Sequence, residues 1–301
     1  MSRVVKPPLL NPMTDMRQLV PFAKYPIFAL APGQRRVEFK DRVGDKFFYF
    51  FVTTDDASYI PTLSDSDILI YLVSLLTASF NRGEILSTEL PFRPNDALRF
   101  LGRHTGGRQR SFLAASLRRL ERANFIGNIP LGSTVSLPPG TLIERFDWPE
   151  GDDLPRTIHV PSWMLHQVQQ KQILRIDPAS LRLRGLERCI NEWARVHASR
   201  AVTSPWTIKI SYAWFKAGGL REPRSEGGFR KFRFALRRVV ERNALPGYHL
   251  SLCGTGKDAS LAIQRLAVAQ KASLAASVPE FDVRETLVLI LDNSQTSECD
   301  A

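Results

Sequence analysis

Glu226 to Asn243, EGGFRKFRFALRRVVERN, decides the reading of this chain. On a helical wheel at about 100° per residue, Phe229, Phe232, Leu236, Val239 and Val240 fall on one side. Arg230, Lys231, Arg237, Arg238 and Arg242 fall on the other, with Glu241 among them. An apolar stripe buries a helix against a domain, and a face this basic meets a polyanion or water. Phe234 lies inside the basic face, where burial does not account for it. A basic helix that closes a helix, Gly-containing turn, helix pattern has the shape of a DNA recognition helix.

The same design stands upstream. Arg93-Pro94 opens a short helix, NDALRFLGR, with proline where helices begin. His104-Thr105-Gly106-Gly107 makes the turn, and RQRSFLAASLRRLERA follows. Leu113, Leu117 and Leu120 share one side of that second helix. Arg108, Ser111, Ala115, Arg118, Arg119 and Arg122 share the other. Ala115 among arginines makes this a smoother surface suited to backbone contact, whereas Phe234 offers a ring to a thymine methyl. The Glu226 to Asn243 helix is therefore expected to read sequence more stringently.

Net charge supports the pairing. Arg99 to Arg122 holds seven arginines against one glutamate, a net +6, and Arg221 to Arg242 holds eight Lys or Arg against three glutamates, a net +5. Together they equal the +11 of the whole 301-residue chain, so the remainder is balanced. Two focused basic patches suit nucleic acid better than general solubility does.

The other segments fit around these helices. Met1 to Lys24 is Pro-rich and polar and reads as a loose arm. YPIFALAPGQRRVEFKD, from Tyr25, gives two extended pieces around Pro32-Gly33, and Lys46 to Thr53 is a strand. DILIYLVSLLTASFNRG is a central core helix capped at Asp65 or Ser66. FIGNI, TLIERFDW and TIHVP are strand-like and supply a first wing. Pro161 to Gln170 is a short helix, Lys171 to Asp177 a strand, and Gly185 to Ser199 an amphipathic helix with Leu186, Ile190 and Trp193 inward. Trp206 to Ile210 and Ser211 to Ala217 lead to the second recognition helix, and Tyr248 to Cys253 with Ser260 to Leu266 form its wing. Beyond lies a tail low in charge, with an apolar TLVLILD segment at Thr286 to Asp292. The expected fold is α+β with two tandem winged-helix domains. The arm spans residues 1–24, the domains 25–170 and 171–266, and the tail 267–301.

Several chemistries are disfavoured. Cys189, Cys253 and Cys299 form no CxxC pair, so neither a disulfide framework nor a zinc site is expected. The five histidines, His104, His159, His166, His197 and His249, show no H-x-H or helical i,i+4 spacing, which removes a metal-dependent nicking site. Gly254-Thr255-Gly256-Lys257 fails the GxxxxGK[ST] spacing and sits where a hairpin turn is expected. Asp65 and Asp67 read as a helix N-terminus rather than a carboxylate pair. No nucleophile–base set is found, so no catalytic residue, metal or cofactor is expected. No apolar run approaches the roughly 18 residues of a membrane span, and a cytoplasmic protein is expected.

With these residues in view, the chain resembles the plasmid replication initiator protein A family. The resemblance rests on YPIFALAPGQRRVEFKDR, DSDILIYLVSLL, LRFLGRHTGGR, LRRLERANF, IHVPSWMLHQV, ILRIDPASLRLRGLERCINEWARVHASR and LRRVVERNALPGYHLSL, in that order. It implies an initiator that binds repeated sequences at a plasmid origin, with the host initiator and replicative helicase as partners and a homodimer form. On this reading Arg108, Arg110, Arg230, Lys231 and Arg233 lie nearest base edges. Ser111, Arg118, Arg119, Arg122, Arg224, Arg237, Arg238 and Arg242 complete the DNA-binding set. A transcription regulator of the same fold is the alternative, because it would use the same helices on double-stranded DNA.

Overall fold

The computed structural model describes residues 10–30, 32–43, 45–55, 58–131, 135–146, 148, 156–218 and 226–267. Expectations on residues 1–9, on Arg224, and on the tail beyond Ala267, including Thr286 to Asp292 and Cys299, lie outside the described residues.

The chain begins with α1 (Pro12–Asp15), β1 (Arg17–Leu19) and α2 (Val20–Lys24), followed by the hairpin β2 (Arg36–Val43) and β3 (Lys46–Thr53). The helix α3 (Ser66–Asn81) is buried at every residue from Ser66 to Thr77, as its nearly all-round apolar sequence requires. Next come β4 (Glu89–Phe92), α4 (Pro94–Phe100), α5 (Gly107–Arg122), β5 (Asn124–Gly127), β6 (Pro130–Leu131), β7 (Val135–Ser136), β8 (Gly140–Thr141), β9 (Arg145–Phe146) and β10 (Arg156–His159). Then follow α6 (Ser162–Gln169), β11 (Ile173–Arg175), a 3-10 turn at Pro178–Arg182, and α7 (Gly185–His197). The described fold ends with β12 (Trp206–Lys209), α8 (Ile210–Gly218), α9 (Glu226–Arg242), β13 (Tyr248–Cys253) and β14 (Ser260–Arg265).

The α+β architecture contains the expected helix-turn-helix and wing elements. In α3–β4–α4–α5, followed later by β9 and β10, the strands make a sheet of order β4-β10-β9. In α7–β12–α8–α9–β13–β14 the sheet order is β12-β14-β13. In each sheet the last strand lies between the other two and is antiparallel to both. The hydrophobic core correspondingly falls into two clusters, one running from Met16 to Leu181 and one from Leu183 to Ile263.

Three expectations need correction. Asn124 to Gly127 is not part of the wing; β5 joins the N-terminal hairpin in a sheet of order β2-β3-β5-β8. Alternation sends Phe125 inward, and Gly127 lies so close to Phe50 that any Cβ there would overlap it. The wing strand is instead the short β9. Residues 10–24 are not a loose arm: Met16, Leu19 and Phe22 are at most 2% exposed, and β1 pairs with β11 through Arg17↔Arg175. Their proline-rich setting hides an apolar triad at three-residue spacing. Because β11, Ile176 and Leu181 pack with the first cluster, the core changes hands between Leu181 and Leu183 rather than at residue 171.

Buried ion pairs join the two clusters. Asp67 accepts from Arg188 (3.1 Å) and from Arg103 (2.5 Å). Arg188 also donates to Glu192 (2.9 Å) and to the Ser180 carbonyl (3.0 Å). Arg195 bridges Glu192 (2.9 Å) and Gln18 (2.8 Å). Burial alone would lower the Arg188 pKa, but the Asp67 and Glu192 carboxylates raise it above the ordinary value, so it stays charged. Asp67→Ala would leave Arg188 buried without that partner. We expect a loss of about 3–5 kcal/mol, read as a lowered midpoint in urea unfolding.

His197 stacks on Trp206 (ring centroids 4.8 Å apart, 11° between planes), with Lys216 Nζ 3.3 Å from its Nε2. Burial, then Lys216 and Lys24, push its pKa down to about 4. The unfolded chain, near 6.5, takes up the proton first. This site's stabilising contribution is therefore full above about pH 6.5 and is lost as pH falls toward 4. His197→Gln should flatten the fall in thermal stability across that window relative to wild type.

Candidate nucleic-acid interface

The helix α9 is held by one side. Leu236 is 1% exposed, and Phe229, Phe232, Val239 and Val240 pack around it against the second cluster. Its C-terminus is fixed by Asn243, which takes a positive φ of 49°, a conformation asparagine tolerates better than most residues. From there its side chain accepts from the Leu250 amide (2.9 Å) and donates to the Leu250 carbonyl (3.3 Å). Recognition helix and wing strand β13 are thereby tied together. The opposite side of α9 leaves Arg230, Lys231, Phe234, Arg237, Arg238 and Arg242 exposed and Arg233 partly so. Phe234 is 64% exposed, so its ring fills no core. Arg242 also reaches Glu187 at 3.4 Å while its side chain stays largely exposed.

The helix α5 is anchored by Leu113, Leu117 and Leu120, each fully buried. Arg108, Ser111, Arg118 and Arg122 are exposed, and Arg110 is partly so, donating from Nε to the Thr105 carbonyl at 3.0 Å. Arg122 lies 3.7 Å from Asp55 across an exposed gap.

Two expectations about this helix change. Arg119 does not face outward with its neighbours. Its guanidinium forks onto Asp65, with Nη2–Oδ1 at 2.7 Å and Nε–Oδ2 at 3.1 Å, and also donates to Ser116 Oγ at 3.1 Å. One step of 100° separates it from Arg118, enough to carry it from the open face to the rim of the core. Asp65 stands at the helix start, but its side chain does not cap it; it accepts instead from the Thr62 amide (2.7 Å) and from Arg119. The surface is not smooth either. Phe112 is 49% exposed, with the Arg108 guanidinium 5.4 Å from its ring centroid. Ala115 alone does not describe this face; Phe112, one turn after Arg108 on the wheel, is the sequence signal for the ring. Both helices therefore present one ring among arginines.

Among the described residues no three His, Cys, Asp or Glu side chains gather to hold a metal ion, and no helix is long and apolar enough to cross a membrane.

The sequence profile described as Replication initiator protein A matches residues 18–250. The chain belongs to that family. Membership places the chain in DNA replication as a DNA-binding initiator. The match covers both basic helices, α5 and α9. No curated protein matches the chain significantly. Among solved structures, the chain is similar to domains 2 and 3 of RctB. A crystal structure of their selenomethionine derivatives gives a TM-score of 0.55 at 17% identity over 81% of this chain and 98% of that one. A second crystal structure of RctB domains 2-3 gives 0.52 at 17% identity over 84% and 99%. At that identity the likeness is one of fold.

Arg119→Ala should therefore act on stability. Burial pushes the Asp65 carboxyl up, but hydrogen bonds from Arg119, Ser116 and Thr62, and the Arg119 charge, bring it below the ordinary range. A depressed carboxylate stabilises above its unfolded value, about 3.9, and that contribution is lost as pH falls through the lower folded value. Removing Arg119 should cost about 2 kcal/mol near neutral pH and raise the Asp65 pKa, measurable by chemical denaturation and by NMR titration of the carboxyl.

Proposed function

We propose that this protein initiates plasmid replication by binding repeated sequences in duplex origin DNA, with α5 and α9 each laid in a major groove. The observation that carries the reading is the exposed, cationic and ring-bearing side of α9, opposite a side locked into the core. In this reading Arg230, Lys231, Arg233 and Phe234, with Arg108, Arg110 and Phe112 of α5, reach base edges. Arg118, Arg122, Arg237, Arg238 and Arg242 neutralise phosphates, which supplies affinity while the base contacts supply the address. Two linked helices bind a long site more tightly than either alone, because the second event is intramolecular. The protein acts by binding, without catalysis or a cofactor. The host initiator and replicative helicase are its proposed partners in the cytoplasm, and a homodimer is a proposed second form.

Footprinting on the DNA flanking its gene tests the reading: protected repeats beside an AT-rich stretch are expected, and no protection on any flanking repeat would defeat it. Affinity for that DNA should fall on the order of 10³–10⁵-fold between 50 and 200 mM salt if ~6–10 phosphates are neutralised. Phe234→Ala should leave folding and non-specific binding intact and cost about 1–3 kcal/mol on the specific site, mainly at one base pair. Titrating wild type and variant on specific and scrambled duplexes at several salt concentrations measures both effects.

A further inference from the structure

The sheet β2-β3-β5-β8 has two unlike faces. Val37, Phe39, Phe50, Val52 and Phe125 fill the inner one and are all buried. Strand alternation puts Phe47, Tyr49 and Phe51 of β3 on the outer face, with Ile126 of β5 directly across from Phe51. The core does not use them: Phe47 is 52% and Ile126 55% exposed, and Tyr49 and Phe51 are half-buried. The rings make a continuous row, with centroids 6.1 Å apart from Phe47 to Tyr49 and 6.0 Å from Tyr49 to Phe51. Cations of β2 run alongside. The Arg36 guanidinium and the Lys40 ammonium stand 5.2 and 5.4 Å from the Phe51 centroid, and Arg42 is the cross-strand partner of Phe47. Glu38 is the one carboxylate at these outward β2 positions, and it holds Arg36 (2.7 Å) and Lys40 (2.6 Å) beside the rings.

A row of rings bordered by cations at strand spacing matches a polymer with a flat apolar group and an anion in each repeat. Duplex DNA hides its base faces inside the stack, whereas a single strand offers them. A second copy of this chain would bring the same cations against these, which disfavours self-association through the face. We propose that the outer face of this sheet is a platform for single-stranded DNA, with bases stacked on Phe47 and Tyr49 and phosphates drawn to Arg36, Lys40 and Arg42. It is separate from the duplex-binding sides of α5 and α9. The proposal rests on the reading of the protein as an origin binder only for its setting; the chemistry of the face stands independently.

The test is fluorescence anisotropy of the full chain with a labelled oligothymidine and, in parallel, with the footprinted origin duplex. Wild type should bind the oligothymidine in a salt-dependent way. The double variant Phe47→Ala/Tyr49→Ala should weaken that binding about tenfold or more and leave the duplex affinity within about twofold. Phe47→Trp, which keeps a ring, should retain it. Thermal melting checks that each variant is folded, and light scattering gives the mass of each. No oligothymidine binding by folded wild type at low salt would overturn the proposal. So would an equal loss on both DNAs, or a change in mass with single-strand affinity unaltered, which would make the face a self-association surface. Because the duplex is measured in the same preparations, failure of the platform and failure of the origin-binding reading give different results.

Discussion

Asp67 and Arg188 are each 2% exposed, they come from helices in different core clusters, and they hold the two halves of the fold in register. A buried ion pair is a poor source of net stability, because desolvating both charges offsets most of their attraction. Its consequence is positional. An unpaired guanidinium at this depth is costly, so arrangements of α7 against α3 that miss Asp67 are excluded. Glu192, Arg195 and Gln18 extend the constraint back to β1, which explains why the N-terminal segment is packed in the core. Apolar contacts, such as Phe39 on Phe215 at 5.6 Å, fill the remaining seam without specifying it so narrowly.

The arginines of the two basic helices divide by what their carboxylate neighbours do. Arg119 meets a carboxylate that is 2% exposed, so its pair belongs to the fold. Arg122 and Arg242 meet Asp55 and Glu187 at longer range, with their own side chains 47% and 59% exposed. A pair as open as Arg122–Asp55 is worth about 0–1 kcal/mol and is screened by salt. A phosphate competes with that pair easily, and far less so with Asp65 for Arg119. Composition counts all three arginines alike; what separates them is the length of the contact and the exposure of the arginine itself, because Glu187, like Asp65, is a buried acid.

This division marks where sequence stops being informative. The periodicities of α5 and α9 set their inner faces correctly, because a one-sided apolar stripe has one way to be buried. The helix α7, expected to be amphipathic, is instead buried on every side from Glu187 to Arg195, its charged residues taken up by the buried ion pairs, and Leu186 is only partly buried. The wing β13–β14 followed from alternation around a glycine turn. What could not be read depends on long-range pairing. The strand at Asn124 looks like any other strand, and nothing local says that it joins β3, some 70 residues upstream, rather than β10. Likewise, Pro-rich composition masked Met16, Leu19 and Phe22, and one helical step hid the turn of Arg119 toward Asp65.

Concentrating cations on a helix has a structural requirement that its anchors must meet. Neighbouring arginines repel when no polyanion is present, and i,i+4 like-charge pairs destabilise a helix by a few tenths of a kcal/mol each. The helix must then be held by its other side. In α5 three fully buried leucines and the Asp65 fork do this; in α9 Leu236, its ring of partly buried neighbours and the Asn243 link to β13 do it. Each anchor lies on the inner side or at a helix end, so it steadies the helix without neutralising the outer face. The outer charge is left to be neutralised by something outside the fold, and the rings of Phe112 and Phe234 are set among those same charges.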